Sequence, residues 1–293
     1  MTNEAESGSS LAVVQSIHSG GSSYTPQTEN VVVNQTDFSR IEDKFFIKAS
    51  LSSQLIEVIQ EHMEPSYPIP GTHYTLIESM YFDSSELSVF KDHFTADNRF
   101  KLRTRRYGPN GIWQNDFILL ERKSKEECVT KKFRFQIGNL DYHRLFSGKT
   151  IIPSEELIDK NPELSSKKLL KRVEKVNQDI IRYELRPQCA VTYQRLCFEG
   201  SGLRLTIDNR LRANHKHEVD EKTANQIIES PSWSKIQAMR ERYLQEQYLI
   251  LEVKHSGSIP KWVLDFLQST GSPKVSFSKY CFSISEALLK QRK

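Results

Sequence analysis

The sequence predicts an α+β protein: an antiparallel β-barrel, closed or nearly so, with helices packed outside it. Three observations lead there. Short segments of alternating apolar and polar residues recur along most of the chain, Gly, Pro and Asn punctuate them, and the helical stretches each carry one apolar stripe that needs a sheet to rest on.

The elements follow in order. Ile41–Lys48 alternates as a strand, and Ser52–Met63 gathers Leu55, Val58 and Ile59 on one helical face. Tyr74–Phe82 reads as a strand and Ser84–His93 as a helix with Asp83 as its N-cap. Arg99–Tyr107 and Asp116–Lys123 are strands joined by a turn around Gly108-Pro109-Asn110-Gly111, and Lys131–Ile137 is a third. Beyond Pro153, Ser165–Tyr183 is a long helix with Leu169, Val173, Val176 and Ile180 on its stripe. Strands resume at Cys189–Phe198, Leu203–Asp208, Tyr248–Lys254 and Val275–Tyr280, with helices at Pro260–Gln268 and Ser283–Lys290. Residues 1–36 are rich in Ser, Gly, Thr, Gln and Asn and are expected to form a disordered leader, with one domain over 37–293.

With 37% hydrophobic residues among 293, the chain can bury a sizeable core. Its net charge of +4 is too small to announce a nucleic-acid partner, but the leader holds three acids and no Lys or Arg, so the domain is the basic part. The four cysteines, Cys128, Cys189, Cys197 and Cys281, form no C-x-x-C pair, which speaks against a zinc site and suits a reducing compartment. No apolar run reaches the roughly 18–20 residues of a membrane span, and no signal peptide is visible, so a cytoplasmic location is expected.

Residues two apart on a strand share a face. On Arg99–Tyr107 one face holds Arg99, Lys101, Arg103, Arg105 and Tyr107, while Phe100, Leu102, Thr104 and Arg106 hold the other. Elsewhere Glu42 pairs with Lys44, Glu121 with Lys123, Lys132 with Arg134, Tyr193 with Arg195, Arg204 with Asp208, and Glu252 with Lys254. A solvated sheet face is the common cause of such alternation. Recurrent cations with a lone Glu as companion favour the other reading, in which the charged face points inward and lines a tunnel for a polyanion, leaving the apolar face for the helices.

These segments resemble the triphosphate tunnel metalloenzymes, and within them the catalytic domain of the vacuolar transporter chaperone polyphosphate polymerases. The matching stretches are Lys44-Phe45-Phe46, Ser79-Met80-Tyr81-Phe82-Asp83, Leu102 to Gly108, Glu121-Arg122-Lys123, Lys132-Phe133-Arg134-Phe135, Arg186-Pro187, Tyr193-Gln194-Arg195, Arg204 to Asp208, Leu251 to Lys254, and Phe277-Ser278-Lys279. The resemblance implies that Lys44, Arg103, Arg105, Lys123 and Lys279 act on the reacting phosphates. It also implies that Lys132, Arg134, Arg195, Arg204 and Lys254 bind substrate phosphate, and that Glu252 ligates Mn²⁺ or Mg²⁺. Glu121 is either a second metal contact or a partner for an adjacent cation, Asp208 is expected to pair with Arg204, and Tyr193 is expected to be a wall residue. The hydrolytic branch begins its barrel with Glu-x-Glu-x-Lys, whereas Arg40, Glu42 and Lys44 stand here. The expected activity is therefore a polyphosphate polymerase using ATP, with a triphosphatase or a non-catalytic polyphosphate-binding module as the alternatives. No nucleic-acid partner is expected, because only Tyr107 offers a stacking ring on the most basic strand face.

Overall fold

The computed structural model describes residues 41–67, 71–127, 129–216, 219–230, 233–245 and 247–290. The leader, Arg40 and Cys128 lie outside them. Eight strands, β1 (Ile41–Lys48), β2 (Thr75–Asp83), β3 (Arg99–Pro109), β4 (Ile118–Glu126), β5 (Val129–Ile137), β6 (Arg186–Gly200), β7 (Leu203–His215) and β8 (Tyr248–His255), form one sheet in the order β1-β8-β7-β6-β2-β3-β4-β5. Every pairing is antiparallel. Among the described residues no pairing joins β1 to β5, so of the expected closed or nearly closed barrel the sheet takes the open form, curled but not closed. The curl brings distant strands together: Lys44, on β1, donates to Phe277 O, and Lys101, on β3 in the other half of the strand order, donates to Oγ of the next residue, Ser278.

The outer face is apolar and covered by helices. Against β1, β7 and β8, Leu55 and Ile59 of α1 (Ser52–Gln60) and Val263, Phe266 and Leu267 of α8 (Lys261–Ser269) pack on Phe45, Ile47, Leu205, Ile207, Leu251 and Val253. Across β3, β4 and β5, α5 (Ser166–Tyr183) lays Leu169, Val173, Val176 and Ile180 into a core with Leu102, Leu120 and Phe135. Ser165 caps α5, its hydroxyl accepting from Lys168 N–H. Two ion pairs stitch this face: Arg122 reaches Asp179 of α5 at 2.6 Å, and Arg106 reaches Glu78 of β2 at 2.7 Å.

The helices are not all outside, however. Tyr280 and Ser283, on α9 (Lys279–Lys290), meet residues of the inner face, the former stacking on Tyr81 and the latter hydrogen-bonding the Cys189 thiol. Beside them Phe46, Tyr248, Ile250, Phe277 and Phe282 form an aromatic cluster with Tyr243 from α7 (Trp233–Gln245). One region of the concave face is thus filled by side chains rather than open.

Four expected elements change. β7 runs to His215 rather than Asp208, because its second half pairs with the Cys189–Thr192 stretch of β6, and the last helix begins at Lys279 rather than Ser283. Val275–Tyr280 is not a strand: the one bridge to β1 is at Lys274, just before it, Val275 N–H bonds to Lys44 O, and then Ser278 caps α9 by accepting from Cys281 N–H. The helix expected at Ser84–His93 becomes α2 (Ser88–Thr95), because Leu87 adopts the left-handed conformation (φ 56°) ahead of it. Asp83 still serves that helix, its carboxylate accepting from the N–H groups of Ser84, Val89 and Phe90 and from the Tyr280 hydroxyl. The helices α3 (Asn139–Phe146), α4 (Glu155–Asp159), α6 (Glu221–Ile228) and α7 were not expected; these short helices fill loops between strands. No helix among the described residues is long and apolar enough to cross a membrane.

Burial pushes the Asp83 carboxyl up to about 6, so its four donors hold a charge that the site would otherwise expel. Asp83→Ala is expected to lower unfolding free energy by roughly 2–4 kcal/mol, since it orphans buried N–H groups and unties α9. Tyr280→Phe, which removes one donor of the four, should cost only about 1 kcal/mol. Urea titrations of the three proteins check the ranking.

Candidate functional site

The inner face carries the charges that alternation assigned to it, and its carboxylates and one guanidinium are buried: Glu121 is 2% exposed, Asp208 1%, Glu252 7% and Arg105 8%, while Lys123 and Lys132 are exposed. On β3, Arg103 and Arg105 both turn inward, whereas Arg106 turns outward to Glu78 and lies over the rings of Trp113 and Tyr142.

Two carboxylates organise the cations. Glu121 accepts from Nε and Nη2 of Arg103 at 2.8 and 2.6 Å, meets Lys132 at 3.1 Å and lies 3.7 Å from Arg105. Desolvation would raise its pKa, but Arg105, Arg103 and Lys132 hold it well below the usual carboxylate range. Asp208 takes two parallel bonds from Arg195 at 2.6 and 2.7 Å and one from Lys279 at 2.6 Å. The expected partner of Asp208, Arg204, is therefore corrected to Arg195 and Lys279. Arg204 instead stands opposite Lys254 and Glu199 on the neighbouring strands, and its buried Nε has no hydrogen-bond partner among the described residues.

Tyr193 joins the two groups. Its hydroxyl accepts from Arg105 at 3.3 Å, and its ring lies under Arg195 and under the Lys279 ammonium, 4.6 Å from the centroid. Desolvation alone would raise its pKa, but Arg105, Arg195 and Lys279 outweigh it and the phenol is lowered.

A second group lies on β1 and β8, where Lys44 faces Glu252 and Glu42 faces Lys254 in the strand register. Lys44 meets Glu42 at 3.2 Å and donates to Phe277 O at 3.1 Å, and Lys254 pairs with Glu252. Against its desolvation, Lys254, Arg195, Lys44 and Lys279 hold Glu252 well below its ordinary value. Arg134 stands opposite Glu121 in the strand register and Lys123 opposite both Lys101 and Lys132. Sequence reasoning passed over Lys101, although alternation had placed it on the cationic face; its amine donates to Ser278 Oγ at 2.8 Å.

The donor chemistry limits what metal the site can hold. Glu42 and Glu252 are near enough for Glu252 to repel the Glu42 carboxylate, and no group of three or more His, Cys, Asp or Glu side chains with metal-binding geometry occurs among the described residues. Two carboxylates fit a Mg²⁺ or Mn²⁺ ion that takes its other ligands from phosphate oxygens and water. Glu121 has three cations within 4 Å, Arg103, Arg105 and Lys132, and takes the ion-pairing role, whereas among the described residues Glu252 is ion-paired with Lys254, which Glu42 shares.

A solved structure of the PH1819 protein from Pyrococcus horikoshii resembles this one with a TM-score of 0.40 and 11% identity, covering 87% of this chain and 99% of that one. A Vibrio parahaemolyticus protein proposed to be an adenylate cyclase gives 0.42 and 11%, covering 85% and 99%. One from Bacillus halodurans, proposed to have the same activity, gives 0.42 and 12%, covering 82% and 93%. Likenesses this distant carry no functional argument. No curated protein sequence matches the chain. The VTC domain model matches residues 39–288, a stretch that takes in every charged side chain described above, and the chain therefore belongs to the VTC domain family.

Proposed function

We propose that the protein is a metal-dependent polyphosphate polymerase that transfers the γ-phosphoryl group of ATP to a growing polyphosphate chain. The observation that carries this reading is the pair of half-buried guanidinium groups anchored on buried carboxylates, Arg103 on Glu121 and Arg195 on Asp208, turned to one concave face. Donors fixed in advance bind phosphate oxygens without reorganising as charge moves during the reaction.

The chemistry asks mainly for positioning and charge neutralisation. A terminal phosphate oxygen of the chain attacks the γ-phosphorus, the bond from that phosphorus to the β–γ bridging oxygen breaks, and ADP leaves with the electron pair. Arg103, Arg105, Arg195 and Lys279 bind and orient the phosphates, while Lys44, Lys123, Lys132, Arg134, Arg204 and Lys254 reduce repulsion between the two polyanions. A divalent ion held by Glu252 and Glu42 supplies further neutralisation of the phosphate oxygens. ATP as donor accords with a protein facing the cytoplasm. Incubation with ATP and Mg²⁺ or Mn²⁺, with the products separated on a polyphosphate gel, is the direct test. Chains longer than the starting phosphate are expected; orthophosphate alone would convert the reading to a triphosphatase.

Arg103→Ala and Arg105→Ala should each weaken tripolyphosphate binding by roughly 1.5–3 kcal/mol, the worth of a charge-assisted hydrogen bond, while Arg106→Ala should change it little. A diffuse basic surface would treat the three alike, so calorimetry at one ionic strength discriminates.

Glu252→Ala should still bind tripolyphosphate yet make no product, because the cationic wall survives and the metal contact does not. Binding and turnover measured on the same preparation separate the two effects.

Burial, with Arg103 and Arg105 adding to it, pulls Lys132 down to about 8 against the attraction of Glu121, even though 38% of its side chain stays exposed. Below that pH the ammonium is ready for an anion, and above it binding must be accompanied by proton uptake. Tripolyphosphate affinity should therefore fall above pH 8, by up to about tenfold per unit, and Lys132→Arg should flatten the profile.

A further inference from the structure

Lys101 is a half-buried amine whose surroundings do not balance its charge. Ser278 Oγ accepts from it at 2.8 Å, and no carboxylate lies within ion-pairing distance of it among the described residues. Desolvation lowers its pKa; the thiol of Cys281 opposes that effect, and the neighbouring charges of Lys44, Lys123 and Arg103 add to it. His93, on α2, adds no positive charge: desolvation and then Lys101, Arg99 and Lys44 push it down to about 3.

The strand register shows why the charges crowd. Lys101 stands opposite Lys123, and Lys123 opposite Lys132, a row of three lysines across β3, β4 and β5. Lys44 comes in from β1 on the other side of the curl, donating to Phe277 O beside the Ser278 hydroxyl that Lys101 reaches. The level that contains Arg103 has Glu121, and the level that contains Arg195 has Asp208. Among the described residues the row meets a carboxylate at one end, where Lys132 touches Glu121, and Lys44 beside it touches Glu42. Excluding a cation from water without a partner is costly, and a protein that keeps one there has a use for it.

We propose that Lys101, flanked by Lys123 and Lys44, forms an anion subsite one step beyond Arg103 that engages the phosphates of a linear chain longer than three units, so that chain length is read there. The step along β3 is about 6.7 Å, two residues of an extended strand. The subsite rests on the reading of the concave face as a phosphate-binding lumen. The competing role for Lys101 is structural, fixing Ser278 and the start of α9.

Calorimetry on the full chain separates these, with tripolyphosphate and a much longer linear polyphosphate as probes for the wild type, Lys101→Met, Lys101→Gln and Lys101→Arg. Gln can still donate to Ser278 without a charge, so it keeps the structural contact and removes the electrostatic one. Both neutral variants should weaken the long chain roughly tenfold to hundredfold and shift tripolyphosphate by less than about twofold, and Arg should restore most of the long-chain affinity. Equal losses for both ligands would merge Lys101 with the triphosphate site and overturn the subsite. Full long-chain affinity in Lys101→Gln would leave only the structural role. Wild-type protein that binds neither probe would overturn the phosphate reading of the lumen, and the subsite with it. Binding of tripolyphosphate by wild type with no gain from the longer chain would overturn the subsite alone.

Discussion

Like charges cannot be packed into the hollow of a curled sheet unless something offsets their repulsion and their loss of water, and here Glu121 and Asp208 supply the offset. Each is almost fully buried, and together they gather Arg103, Arg105, Lys132, Arg195 and Lys279. Breaking such a pair strands a charge in a medium that solvates it poorly. The arrangement leaves guanidinium and ammonium groups oriented toward the lumen while their total charge stays greater than that of the acids holding them. That excess of positive charge is what the proposed polyphosphate ligand would balance.

The outer face obeys a simpler constraint. With the inner alternate positions given to charge, the other set must be apolar and must be covered, and α1, α5 and α8 cover it. The polar groups on that side are paired, Arg122 with Asp179 and Arg106 with Glu78, which removes them from competition for a ligand. Arg105 and Arg106 are thus neighbours in sequence with opposite physical roles, separated only by the pleat.

The α9 end of the lumen is where sheet and helices become one unit. Asp83 binds the N-terminus of α2 and the hydroxyl of Tyr280, Tyr280 stacks on Tyr81, and Tyr81 accepts from Arg103 at 3.0 Å. Phe277, Ser278 and Lys279 in turn contact Lys44, Lys101 and Asp208. The residues that fix the C-terminal helix are therefore the same ones that shape the wall, so packing there and ligand geometry are coupled through direct contacts.

Alternation along single strands determined which face of the sheet carries charge, that Arg103 and Arg105 point one way and Arg106 the other, and the approximate extent of every strand but β7, because a two-residue period is a local property of extended backbone. It also placed Lys101 inward, although the motif resemblance, which weighs residue types at matching positions, passed over it. Pairing between strands is not local. That Asp208 serves Arg195 and Lys279 rather than Arg204 depends on the β6–β7 register and on where α9 begins, and that Glu121 is surrounded by cations rather than free for a metal depends on the β3–β4–β5 register. Likewise Phe277-Ser278-Lys279 alternates like a strand, but Ser278 caps a helix there, and the three residues are held by Lys44, Lys101 and Asp208, far away in the chain. Local chemistry set what each strand offers; only the curl of the sheet, set by long-range pairing and by the helices on both its faces, decided which offers meet.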